Sequence, residues 1–140
     1  MALTLKERQE FLAQPHIAAL SVAGGPGRGP LSVPIWYQYE PGSEPWVTTG
    51  ADSQKIRLIK EAGRFTLMVQ RTEPTTRYVS VEGSVSKIVP LTDELHIEMV
   101  KRYLSGDAVD NYLKQAADFG DQVAVYLRPE HWLSADLGSL

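Results

Sequence analysis

The residues best placed to act together are Ser53, Gln54, Lys55 and Arg57, within "WVTTGADSQKIRLIKEAGRFTLMVQ" (46–70). An apolar, β-branched run stops at Gly50, small polar residues follow, and Ser53 can cap a helix over 54–62. The first turn of a helix carries unpaired N–H groups and a partial positive charge, so it favours acids over bases. Lys55 and Arg57 run against that preference, and Lys60 follows on the same helix. A bound phosphate would reverse the sign, because the Ser53 hydroxyl, helix amides and cations could converge on one anion. The plain alternative is an amphipathic helix with its Lys and Arg on the wet face, and charge alone does not separate the two.

Other chemistries are poorly supplied. The chain has no cysteine, which excludes disulfides, thiolate metal sites and thiol catalysis. His16, His96 and His131 stand in unrelated contexts, and no H-x-x-x-H, H-x-H or clustered-carboxylate spacing suggests a metal. No serine sits in a nucleophile elbow. Asp52, Glu73, Asp93, Glu94, Asp107 and Asp110 fall in turns and at helix starts, where capping and solubility explain them. "GGPGRGP" (24–30) lacks the Lys-Ser/Thr ending of a phosphate loop and opens a strand, so it reads as a hairpin turn. An enzyme with this inventory must draw its chemistry from a bound cofactor.

The 140 residues fit one domain spanning 1–140, with 43% hydrophobic and 22% charged residues as in ordinary globular proteins. A net charge of -3 argues against a general nucleic-acid binder. No apolar run approaches the roughly 20 residues that span a bilayer. The opening "MALTLKERQEFLAQ" lacks an unbroken apolar signal region, so a cytoplasmic protein with no membrane span is expected.

The elements that must position Ser53 and Lys55 follow from the pattern. Thr4 and Glu7 have capping-box spacing for a helix over 4–13, closed by Pro15. Strands are expected at 16–23, at 31–39 with an interruption at Pro34, and at 46–50, 64–71, 77–89, 122–129 and 131–137. Ile56, Leu58 and Ile59 give the second helix its buried side and Gly63 its stop. Further helices are expected from Thr92 or Asp93 to Leu104 and from Asp107 to Phe119. Trp36 and Tyr37 fall on opposite faces of their strand. Strands joined mainly by tight turns, with helices inserted singly, fit an antiparallel barrel better than a βαβ sheet.

Taken in order, "PLSVPIWYQY", "TTG…SQK" with its helix, and "RYVSVEG" resemble the pyridoxamine 5′-phosphate oxidase-like split β-barrel superfamily. The similarity covers nearly the whole chain and is strongest to the actinobacterial branch of flavin/deazaflavin oxidoreductases that use coenzyme F420. It implies an α+β, mainly β fold: an antiparallel, Greek-key split barrel with short flanking helices, forming a homodimer with cofactor sites between subunits. It also implies that the backbone of Val33, Pro34, Ile35 and Trp36 meets the polar edge of the cofactor ring. Thr48 and Thr49 would follow the ribityl chain, Ser53, Lys55 and Arg57 would hold the phosphate, and Gln54 would join them among the cofactor-binding residues. The ending "HWLSADLGSL" lacks the Trp…Arg pattern of a true pyridoxamine phosphate oxidase, which points away from vitamin B6 chemistry. The expected function is F420-dependent hydride transfer to a small conjugated, quinone-like or tetrapyrrole-like substrate. The alternatives are an FMN-binding oxidoreductase of the same fold and a non-catalytic cofactor carrier. Tyr37, Tyr78 and the segment 71–77 are candidates to line the open face of the ring.

Overall fold

A computed structural model describes residues 2–138; Met1, Ser139 and Leu140, at the ends of the span expected as one domain, lie outside the described residues. The chain runs α1 (Leu5–Ala13), β1 (Ala18–Val22), β2 (Leu31–Ile35), β3 (Tyr37–Gln38), β4 (Trp46–Gly50), α2 (Gln54–Ala62) and β5 (Arg64–Arg71). It continues through β6 (Thr76–Pro90), α3 (Asp93–Tyr103), α4 (Asp107–Ala116), β7 (Gln122–Leu127) and β8 (His131–Gly138).

Every strand pairing is antiparallel, in the order β2-β1-β5-β6-β7-β4-β3, with β8 added to β6. The length of β6 explains the split. Its first half pairs with β5 and β8, while its second half, from Val85 on and with an irregularity between Val85 and Lys87, pairs with β7. The ends of the path, β2 and β3, are joined covalently through Trp36, so the chain itself closes the curl. The fold is the expected α+β split β-barrel. Pro34 does not interrupt its strand, as the sequence suggested; β2 is an edge strand, where the missing N–H leaves no ladder bond unmade, and the break falls at Trp36.

Alternation decides the two faces of the sheet. Ala18, Leu20, Val22, Phe65, Leu67, Val69, Val79 and Val81 turn inward and are buried, meeting Val47, Val125 and Leu127 from the other half. α2 lies across β1, β4 and β5 and buries Ile56 and Ile59 in this core. Each such burial contributes about 1.5–3 kcal/mol, more than the 0.3–1 kcal/mol or so that cations cost near a helix start. That margin lets α2 form despite Lys55 and Arg57. Its cap and stop are those expected: Ser53 Oγ accepts from Ile56 N–H at 3.1 Å, and Gly63 ends the helix at φ 72.

A backbone crossing fixes the junction of the halves. Arg128 N–H donates to Ser84 O and Glu130 N–H to Glu82 O, bringing the β7–β8 turn over Gly83. A Cβ on Gly83 would collide with the carbonyl oxygen of Arg128, so only glycine fits.

Candidate functional site

The candidate site has two parts, on either side of β1. The first is the mouth of α2. Ser53 Oγ lies 2.7 Å from Thr49 Oγ1 while accepting from Ile56 N–H, so with Thr49 as donor the Ser53 proton is left for an outside acceptor. Thr49 is buried, and its strand position opposite Val123 holds the pair in place. Ser53 O takes Arg57 N–H at 3.3 Å, while the amides of Gln54 and Lys55 belong to the helix turn that has no intrahelical acceptor. The first turn carries no acidic residue. Among the described residues, no carboxylate lies within 4 Å of the Lys55 or Arg57 side-chain nitrogens.

The two cations differ. Lys55 is half-buried and Arg57 is exposed. Residues two apart on a helix do not share a face, so Lys55 leans toward the sheet and Arg57 toward water. An anion docked at the helix mouth would meet Lys55 first.

The second part lies on the outer face of β1, β2 and β5. Ser32 and Pro34 face outward and Leu31, Val33 and Ile35 pack toward the core. A shallow groove of about 310 Å³ is lined by Ile17, Ala19, Val33, Pro34, Met68 and Gln70, among others. It carries no charged side chain. A flat apolar ring would find there two or three uncharged side chains and the backbone of an edge strand. Thr48, half-buried opposite Ala124, stands on β4 in the other half of the barrel. Val33, Pro34 and Ile35 are therefore joined to the α2 mouth only through the sheet, whereas Thr49, at the end of the strand that leads into α2, bonds Ser53 directly.

The Trp36 side chain is committed elsewhere. It stacks on Tyr103 with centroids 4.7 Å apart and rings 10° from parallel, and it meets Tyr112 at 5.2 Å. Only its backbone can serve a ligand at β2.

Tyr37 does not line an open face, as expected from the sequence, but is fully buried. Its hydroxyl lies 2.6 Å from Leu12 O and 2.8 Å from Gln14 O, and its N–H donates to Tyr103 Oη at 3.1 Å. Burial holds the Tyr37 phenol far above its ordinary pKa. Arg71 and Arg77 are likewise unavailable: both reach Asp136, at 3.5 and 2.9 Å, and both lie over the Phe11 ring. Strand alternation puts them on the α1 side. Tyr78 and Gln70, paired in register, take the outer face. Met68, Gln70 and Ile17 were missed by the sequence reading; the outward parity of β5, set by buried Phe65, Leu67 and Val69, was the signal that could have found Met68 and Gln70.

The molecule thus has a cation-bearing helix mouth and, on the outer face of the sheet, an uncharged strand groove. A family profile for pyridoxamine 5′-phosphate oxidase matches residues 4–135. The chain belongs to this family.

Among solved structures, the family fold recurs in the conserved hypothetical protein Rv2991 of Mycobacterium tuberculosis. That protein is 25% identical, with a TM-score of 0.76 over 97% of this chain and 86% of its own. A structure described as an F420 reductase is also 25% identical, with a TM-score of 0.73 over 89% of this chain and 94% of its own. A protein related to general stress protein 26, from Clostridium acetobutylicum, shares the fold at 18% identity and a TM-score of 0.66, covering 95% and 88% of the two chains. No curated protein is detectably similar in sequence. Among the described residues, no helix of this family member is long and apolar enough to cross a membrane.

Proposed function

We propose that this chain is an oxidoreductase dependent on coenzyme F420, passing a hydride to a small conjugated, quinone-like or tetrapyrrole-like acceptor. The observation that carries the reading is the α2 mouth: a half-buried Lys55 beside Ser53, without an acid in the first turn or a carboxylate within 4 Å. Likeness to an F420 reductase over most of both chains supports the deazaflavin over other phosphate-bearing rings.

The residues fit such a group. Ser53 and the amides of Gln54 and Lys55 supply donors, Lys55 supplies charge, and Arg57 adds weaker attraction from the exposed side. Thr49 orients Ser53 through their 2.7 Å contact. The uncharged groove at Val33 and Pro34 suits the ring, with Ile35 and Trp36 offering backbone alone and Thr48 standing near the connecting chain. When bound, the reduced deazaflavin supplies the hydride. The protein's part is to hold the ring against β2, keep water from one face and leave the other to the acceptor. Tyr78 and Gln70 are the polar residues nearest that outer face.

A single subunit leaves the groove shallow, and the reading includes a homodimer. Pro34, Ala19, Met68, Ser80 and Leu133 form one row in register across five strands, without a charge, and Leu133 is 65% exposed. A second copy packed on this face would bury the row and turn each groove into a cleft between subunits.

Purified protein tests the reading. Titration with F420 should quench the cofactor's fluorescence saturably, and sedimentation should give a dimer that Met68→Glu dissociates, with loss of cofactor binding. A yellow protein absorbing at the flavin maxima would replace F420 by FMN. Bound F420 that no acceptor can reoxidise after reduction would make the chain a carrier.

A further inference from the structure

A cavity of about 850 Å³ opens between α3, α4 and the adjoining ends of β6 and β7. It shares no lining residue with the groove on β1 and β2. Its volume lies within the roughly 300–1,000 Å³ of small-molecule sites. Leu91, Ile97, Leu113, Ala116 and Val123 supply apolar walls, and Asp93, His96 and Asp121 add the ionisable groups. No Lys or Arg lines it. We propose that this cavity binds a small apolar molecule carrying a protonated amine; it lies apart from the groove on β1 and β2 and borders the α2 mouth only at Ala51.

The walls are preformed. Ala51 N–H donates to Asp121 O at 2.9 Å and Leu91 N–H to Gln122 O at 3.0 Å, tying the rim to the sheet. His96 is held edge-on to Tyr112 at 6.1 Å, which in turn packs on Trp36. The charge of the rim selects the ligand. Two carboxylates and no fixed cation repel a phosphate and attract an ammonium group, while the apolar walls take its hydrocarbon.

The acids are not equivalent. Asp93 has a second reason to be where it is, since it stands in the first turn of α3, where a helix favours an acid. Asp121 has none: it follows Gly120 in the turn before β7, and among the described residues no cation lies within 4 Å of it. Asp121 is the group that sets the preference.

Calorimetric titration at low ionic strength with three probes of one skeleton tests this: 2-phenylethylamine, 2-phenylethanol and 3-phenylpropionate. The amine should bind saturably, at least fivefold tighter than the alcohol, with the propionate weakest. Asp121→Asn should bring the amine to the level of the alcohol, and Ala117→Trp should abolish binding of both by filling the cavity. Lys55→Ala should leave amine binding unchanged, which separates this site from the cofactor reading. The proposal is overturned if the amine fails to saturate at millimolar concentration or if the propionate binds as tightly. It is equally overturned if Asp121→Asn, checked as folded by circular dichroism, keeps the full preference.

Discussion

Two groups of cations on this barrel behave in opposite ways. At the end of the barrel near α1, Arg71, Arg77 and Arg102 are committed. Arg102 reaches the carbonyls of Ala13 and Gln14 at 2.9 and 2.8 Å and Gln38 Oε1 at 3.0 Å, while lying over Tyr37 and Tyr103. It thus ties α3 to the end of α1, whose last carbonyls have no partner within the helix. Arg71 and Arg77 share Asp136. At the α2 mouth, Lys55 and Arg57 have no such partners among the described residues. These three arginines complete the fold through hydrogen bonds and ion pairs; cations kept at a helix start, against the helix's own preference, are free to meet something else.

Substitutions can break this contrast. The largest effect is expected from Arg102→Ala, which removes the donor to Ala13 O and the tie from α3 to the end of α1. Denaturant unfolding should show a loss of about 3 kcal/mol, and Arg102→Lys should rescue little, because an ammonium lacks the planar fork. Lys55→Ala should do the reverse. Cofactor affinity should fall by about 1.5–3 kcal/mol, roughly 10- to 150-fold, with stability changed by less than about 0.5 kcal/mol. Unaltered affinity in a fluorescence titration would remove Lys55 from the site.

Acid sharpens the same contrast. Hydrogen bonds from Gly138 N–H, Thr75 and Arg77 hold Asp136 at about 2, below its usual 3.8. A carboxyl lowered in the folded state stabilises above its unfolded value, and that contribution is lost as pH falls from about 4 toward 2. Thermal midpoints should therefore drop over that window, and Asp136→Asn should flatten the drop while lowering stability at neutral pH. The smallest effect is expected from Arg57→Ala. An exposed cation on the far side of the helix contributes a few tenths of a kcal/mol, so affinity should change less than threefold.

Much of the fold was legible because it is written locally. The capping box at Thr4 and Glu7, the caps at Ser53 and Thr92 and the left-handed stop at Gly63 are each set by neighbours in sequence. Strand parity was legible where one face is buried, as in β5. The expectations that failed were those needing a partner far along the chain. Pro34 interrupts nothing because β2 has a free edge. Tyr37 is buried because its hydroxyl meets the end of α1 more than twenty residues away. Arg71 and Arg77 are occupied because β8 delivers Asp136 beside them.

By itself the sequence determined the helices and strands, their boundaries to within a few residues, and the placing of Ser53, Lys55 and Arg57 at a helix start, since caps, turns and periodicity act between near neighbours. Only the tertiary structure decided which cations are spent and which remain open, that Lys55 and Arg57 face differently, and that a second cavity sits beneath α3 and α4. Those outcomes depend on which distant groups pack together, and no local pattern carries that information.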